Sequence, residues 1–355
     1  MEKPPWLNEL LPINGRFYVI YPPMPAILLL PQVAVSGLKA NQTLASVFWG
    51  SLNVSLFYLL MRQLTNNKGL QLWMAILFGF GTIHWYLASI GKAWFFAHIT
   101  SFLFLILAIY ETFTKRRPFL IGLLTGASYW SRLPTILSLP FFLIMLSDKW
   151  LKKSNNSSSL RRINFIPLLK LGFGVGIFVI LNFAYNYLRF GTPFDIAYPI
   201  QAKAEPLFYP KGLFSISYIP QHLWIFFLKP PVFTSKPPYV VPSLMGMSIL
   251  ISTPAFIYSI FAGRNKLALA CWSAIIPIAL LEFTHGGVGW MQFGYRFAVD
   301  FYPFLLILTA LGMNSASRTD SNLTWEHKLL ICLSILVNLW GVLWINKFGW
   351  ASLWG

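Results

Sequence analysis

The densest run of residues able to do chemistry is 282–300, which holds Glu282, Thr284, His285, Trp290, Gln292, Tyr295, Arg296 and Asp300. Glycines at 286, 287, 289 and 294 let the backbone bend around a ligand. Arg296 and Asp300, four apart, would share one side of an α-helix. Such a set suits recognition of an anion: a guanidinium meets phosphate or carboxylate oxygens, with a carboxylate nearby to orient it. The competing expectation is a pair that merely neutralises itself at a helix start.

Smaller groups stand elsewhere. Asn182, Tyr185, Asn186, Tyr187, Arg189 and Asp195 cluster where an apolar run ends, and asparagines in such a run need a partner helix or a ligand. Lys92 lies between Trp85-Tyr86 and Trp94-Phe95-Phe96, with His98 just beyond, which reads first as an aromatic belt and second as a sugar-stacking surface. Arg132 interrupts an apolar stretch at Ser131-Arg132-Leu133-Pro134-Thr135. Other features point away from chemistry. Cys271 and Cys332 lie in apolar runs, and the five histidines show no metal-ligand spacing. The glycines at 172, 174 and 176 lie inside an apolar run, where close helix packing is expected rather than a phosphate loop.

The elements that must position these residues follow from composition. Of 355 residues 56% are apolar and 10% charged, and the mean hydropathy is +0.61, whereas soluble domains carry roughly 25% charge. A soluble enzyme, a disordered chain and a secreted disulfide scaffold are excluded, and an all-α polytopic membrane protein is expected. Because 27 basic residues face 10 acidic ones, for a net charge of +17, the excess must lie in loops, where it orients the spans. Apolar runs long enough to cross a bilayer predict helices near 42–61, 71–91, 93–113, 165–187, 244–262, 267–283, 301–314 and 329–346. The start of the chain lacks the basic and apolar pattern of a signal peptide.

Basic residues at Arg62/Lys68, Lys115-Arg116-Arg117, 149–162, Arg264/Lys266 and Arg318/Lys328 fall at alternate ends of these helices, which makes those loops cytoplasmic. The stretch 118–147 must then enter and leave on one side, so two short helices meeting in a polar elbow are expected, with Arg132 at their junction; a snorkelling arginine is the alternative. Parity places 188–243 outside the cytoplasm as a loop with an interfacial helix around 223–228. It also places residues 1–40 outside as a juxtamembrane segment, which leads to the expectation of a further helix ahead of this chain. Four regions result: 1–40, 41–187, 188–243 and 244–355. The outer face is itself basic, with Lys3, Arg16, Lys39, Lys92, Arg189, Lys203, Lys211, Lys229, Lys236 and Arg296, as a site for a lipid phosphate would be; unrelated solvated lysines explain those in 203–236 equally well.

Three segments resemble a bacterial branch of the GT-C membrane glycosyltransferases, the superfamily of protein O-mannosyltransferases and lipid A aminoarabinose transferases. They are NGRFYVIYPPMPAIL from Asn14, YNYLRFGTPFD from Tyr185 and WMQFGYRFAVDF from Trp290. The resemblance runs from about residue 11 to 346. It implies a GT-C-like bundle of about 8–10 spans, some short or broken, in the bacterial cytoplasmic membrane with its active face outside. It further implies a polyprenyl-phosphate sugar donor and an inverting displacement in which a base activates an acceptor hydroxyl and cations stabilise the departing phosphate. On this reading Glu9, Asp195 and Asp300 are the expected catalytic carboxylates, and Lys92, His98, Arg132, Arg189, Gln292, Tyr295 and Arg296 the expected substrate contacts. A divalent metal is compatible with it, membrane lipid is a partner and nucleic acid is not. The family's first helix and the acidic pair of its first outer loop have no counterpart here; Glu2 and Glu9 are the acids in that region. A transporter or flippase for a lipid-linked sugar, or a non-catalytic membrane protein, would also carry a basic cavity, although no internal repeat supports the transporter.

Overall fold

The computed structural model describes residues 10–153, 161–316 and 323–347. A hairpin of β1 (Leu10–Ile13) and β2 (Arg16–Val19) leads into α1 (Met24–Ser36), α2 (Gln42–Leu64), α3 (Lys68–Phe80), α4 (Ile83–Ile90), α5 (Ala93–Phe113) and α6 (Pro118–Tyr129). A 3-10 turn, Leu133–Ser138, joins α6 to α7 (Leu139–Met145) and the short α8 (Ser147–Trp150). The hairpin β3 (Leu151–Lys153) and β4 (Arg161–Ile163) precedes α9 (Phe165–Phe190), α10 (Ala197–Ala204) and α11 (Ile219–Phe227). After β5 (Val232–Phe233), β6 (Val240–Val241) and α12 (Ile249–Ser252) come α13 (Lys266–Phe283), α14 (Tyr302–Ala316) and α15 (Trp325–Lys347). The three hairpins are antiparallel and separate, so the chain is an all-α polytopic membrane protein.

Six helices among the described residues are long and apolar enough to span, and the pair Lys68–Phe80 and Ile83–Ile90, bent by 48°, makes a seventh. Three shorter apolar stretches, Met24–Lys39, Pro118–Tyr129 and Leu133–Met145, accompany them. Asparagine side chains start four helices by accepting a first-turn N–H: Asn41 from Leu44, Asn67 from Leu70, Asn164 from Ile166 and Asn265 from Ala268. The expected helix near 71–91 is the bent pair, because Thr82 caps α4 by accepting from the His84 N–H. The expected helix near 244–262 does not form. It is replaced by the single turn α12 and a 3-10 run, Pro254–Phe261, since Pro254 has no N–H to continue α12.

The core lies around α5 and the stretch Arg296–Ser315, whose apolar windows are 72% and 89% buried, whereas that of α9 is 17% buried. Helix α9 therefore presents most of its surface to lipid and packs mainly on α6. A Cβ at Gly122 of α6 would collide with the Leu171 backbone, and one at Gly174 of α9 with the backbone around Phe119. Of the glycines read as packing residues, Gly174 does that work, while Gly172 and Gly176 face open space.

The polar elbow forms where it was expected. Helix α6 ends at Tyr129, Arg132 turns the chain with its N–H on the Ser128 carbonyl at 2.9 Å, and Pro134 opens the 3-10 turn. The Ser128 hydroxyl donates to Thr135 at 2.9 Å and its carbonyl lies near Ser101, so the freed backbone groups are satisfied inside protein, as broken helices in a membrane require.

Candidate functional site

The elbow delivers Arg132 to a buried ionic cluster. Its Nε donates to Asp300 Oδ2 at 2.9 Å and its Nη2 to Glu282 Oε1 at 2.9 Å. Asp300 also meets His98, with Nδ1 to Oδ1 at 2.8 Å. Glu282 stands in the last turn of α13, Asp300 in the 3-10 run Arg296–Phe301, and His98 in the second turn of α5. His98, Glu282 and Asp300 are 1%, 4% and 1% exposed, so the guanidinium that spans two carboxylates supplies the charge that makes their burial tolerable.

Arg296 is placed differently. Its guanidinium lies over the rings of Trp94, Phe95 and Phe297 at 5.4, 5.6 and 5.3 Å and donates Nη1 to the Trp290 carbonyl at 3.2 Å. Its Nε is buried without a hydrogen-bond partner, and among the described residues no carboxylate lies within ion-pair distance of it. The expected Arg296–Asp300 pair is therefore absent. The pairing assumed an α-helix, but the segment is 3-10, with three residues per turn, which sets position i+4 about 120° around the axis from position i.

Both arginines line a cavity of about 1750 Å³ bounded by the ends of α4, α6, α9 and α13 and by the start of α5. Lys39, Lys92, Arg132, Arg189 and Arg296 are the basic residues on its wall, against Asp195, Glu205 and Glu282. Trp94, Tyr198, Tyr209 and His285 add aromatic surface. Burial pushes the Tyr209 hydroxyl up to about 12 and the Tyr198 hydroxyl upward, so both stay protonated. The Asp195 carboxyl is raised by burial, and its Oδ1 accepts from the Ala197 N–H at 2.8 Å.

The remaining expected contacts divide. Lys92 lines the cavity at the N-cap of α5, and His98 lines it from one turn further along. Arg189 also reaches the wall, but its guanidinium stacks on Tyr185 and Phe190, both at 4.5 Å, and donates to the Val19 carbonyl, which ties the first hairpin to α9. Three expectations are corrected. Asp300, expected as a catalytic carboxylate, is buried, absent from the cavity wall and taken up by His98 and Arg132. Gln292 donates Nε2 to the Met245 and Val288 carbonyls, each at 2.8 Å, and so braces the glycine loop; being buried, it is absent from the wall. Tyr295 bonds His222 Nδ1 at 2.7 Å, while His222 Nε2 donates to the His285 carbonyl at 2.8 Å; the tyrosine is a strut behind the cavity. Glu9 lies outside the described residues.

Glu282, part of the 282–300 run but not among the expected substrate contacts, completes the buried cluster through Arg132. An acid ending an otherwise apolar span was the available signal. Trp94 was legible first as part of an aromatic belt and second as a sugar-stacking surface. Among the described residues no three His, Cys, Asp or Glu side chains converge as a metal site. No family model, curated protein or solved structure matches the chain.

Proposed function

We propose that the chain is a membrane glycosyltransferase of the GT-C type, which moves a sugar from a polyprenyl-phosphate donor to an acceptor on the extracytoplasmic side of a bacterial cytoplasmic membrane. The observation that carries this reading is Arg296: a cation on the cavity wall, clamped by aromatic rings, with no carboxylate to neutralise it among the described residues. An anionic ligand completes such a site. Arg132 is charge-paired with Asp300 and Glu282 and shapes the wall, so the donor phosphate is assigned to Arg296.

The orientation is supported by the loops. Residues 62–68, 115–117 and 264–266 lie at the helix ends opposite those that bound the cavity, and their positive charge favours the cytoplasm. In the reaction the acceptor hydroxyl attacks the anomeric carbon as the carbon–oxygen bond to phosphate breaks, with the electron pair leaving on the phosphate against Arg296. Asp195, raised by burial and on the cavity wall, takes the acceptor proton. Trp94 supplies a face for the sugar, and Tyr198 and Tyr209 supply hydroxyl donors. The test is release of polyprenyl phosphate from a panel of lipid-linked sugars by detergent-purified protein. Release that Arg296→Ala abolishes supports the reading; wild-type protein that binds none of the panel overturns it.

A further inference from the structure

At the other end of the bundle, away from the large cavity, lies a shallow groove of about 1030 Å³. It is floored by Phe119, Leu169 and Phe173 and edged by Lys115, Lys149 and Lys170. The three lysines come from separate elements: the loop between α5 and α6, the turn α8, and α9. Nothing in local sequence brings them together; the packing of α9 on α6 does. The Phe119 and Phe173 rings stack at 5.9 Å and form one apolar wall.

The two arginines beside the groove are committed elsewhere. Arg116 pairs bidentately with Asp148 at 2.6 and 3.0 Å, and Arg117 with Glu111 at 2.8 and 2.9 Å. These pairs fix the loop in a shape that requires positive φ at Arg116, +56°, a conformation that costs energy in a residue with a Cβ. The loop is thus held in place while the lysines keep their charge: among the described residues none of the three has a carboxylate within ion-pair distance. Lys170 is especially telling. It stands five residues beyond the start of α9, about 7.5 Å along the axis at 1.5 Å per residue, on a helix otherwise apolar over that stretch. A cation at that depth, beside an apolar trough that continues along a lipid-facing helix, matches a molecule with a phosphate at one end and hydrocarbon at the other.

We propose that this groove binds one anionic phospholipid, with its phosphate among Lys115, Lys149 and Lys170 and an acyl chain along Phe119 and Phe173. Gly172 lies on the groove wall, and a Cβ there would meet nothing, so a larger side chain has room to enter the trough. The site does not depend on the glycosyltransferase reading. The test is native mass spectrometry of the full chain released from nanodiscs of mixed phosphatidylglycerol and phosphatidylcholine. Wild type is expected to retain one phosphatidylglycerol in preference to phosphatidylcholine. Replacing Lys115, Lys149 and Lys170 together by Gln should lower that retention by roughly a hundredfold, at roughly fivefold per lysine. The pair Arg62→Gln and Lys68→Gln, on the same side of the bundle, should leave it unchanged. Gly172→Leu keeps every charge and favours the helix, so it is expected to fold and to reduce retention severalfold by filling the trough. Equal retention by the triple variant, or equal loss in the Arg62/Lys68 control, overturns the proposal. Complete displacement by inorganic phosphate at the lipid's concentration also overturns it, because the site would then recognise the ion without the chain.

Discussion

Arg132 and Asp300, 168 residues apart in sequence, meet through Nε and Nη2 at 2.9 and 2.8 Å inside the bundle. This contact locks the elbow between α6 and α7 to the 3-10 run ahead of α14, and Glu282 joins α13 to the same guanidinium. Arg132→Ala would leave two buried carboxylates without their cation. The expected cost is about 3–5 kcal/mol, read as a lowered thermal unfolding midpoint in detergent. Arg132→Lys should recover only part of it, because an ammonium cannot repeat the forked geometry across two carboxylates.

Arg296 should behave in the opposite way. Since its charge faces aromatic rings and no acid among the described residues, Arg296→Gln is expected to leave the unfolding midpoint nearly unchanged. The same variant should lose polyprenyl-phosphate binding and reduce transfer by roughly 100-fold or more, the scale of removing one charge-stabilising donor. Comparing unfolding and transfer in Arg132 and Arg296 variants separates the structural cation from the binding one.

Asp195→Asn should lower transfer by roughly 100-fold, the low end for loss of a general base, with donor binding retained. Burial raises the wild-type carboxyl, so the base becomes active only above the ordinary carboxylate range. The transfer rate should therefore climb with pH past the point where an exposed aspartate is already ionised, and the Asn variant should lose that limb. A pH–rate profile of both proteins checks it.

His285 provides a stability test. Burial holds its pKa down to about 4 from 6.5, and His222 is lowered for the same reason, so the folded state keeps both neutral while the unfolded chain protonates near 6.5. Between those values the unfolded state binds more protons, and stability must fall as pH drops. Thermal unfolding at pH 7.5 and pH 5 should show the loss, and His285→Gln should make it smaller. A wild-type midpoint independent of pH over that window would contradict the burial of these imidazoles.

Much of the architecture was legible in the order of residues, for reasons that are local. Hydropathy over about 20 residues marks a span whatever surrounds it, so the runs at 42–61, 93–113, 165–187 and 267–283 correspond to α2, α5, α9 and α13. Proline and polar residues at 131–135 forced a break, and the elbow is there. The place of Arg132 at that break was legible too, but whether it lay deep or snorkelled to the interface was left open until its ion pairs with Asp300 and Glu282 decided it.

Its partners did not follow, and here the tertiary structure decided. Assigning Asp300 to Arg296 assumed α-helical spacing, whereas Asp300 instead faces His98 from α5 and Arg132 from the elbow. Gln292 and Tyr295 carried polar groups that looked free to meet a ligand, yet backbone carbonyls and His222 take them up. Sequence determined which residues must leave water and the break at 131–135, since both depend on a few neighbours, but not the breaks near 82 and 254. Only the packed bundle determined which buried cation was satisfied and which was left facing the cavity, because that depends on partners up to 168 residues away and on whether the turn between them winds at three residues or at 3.6.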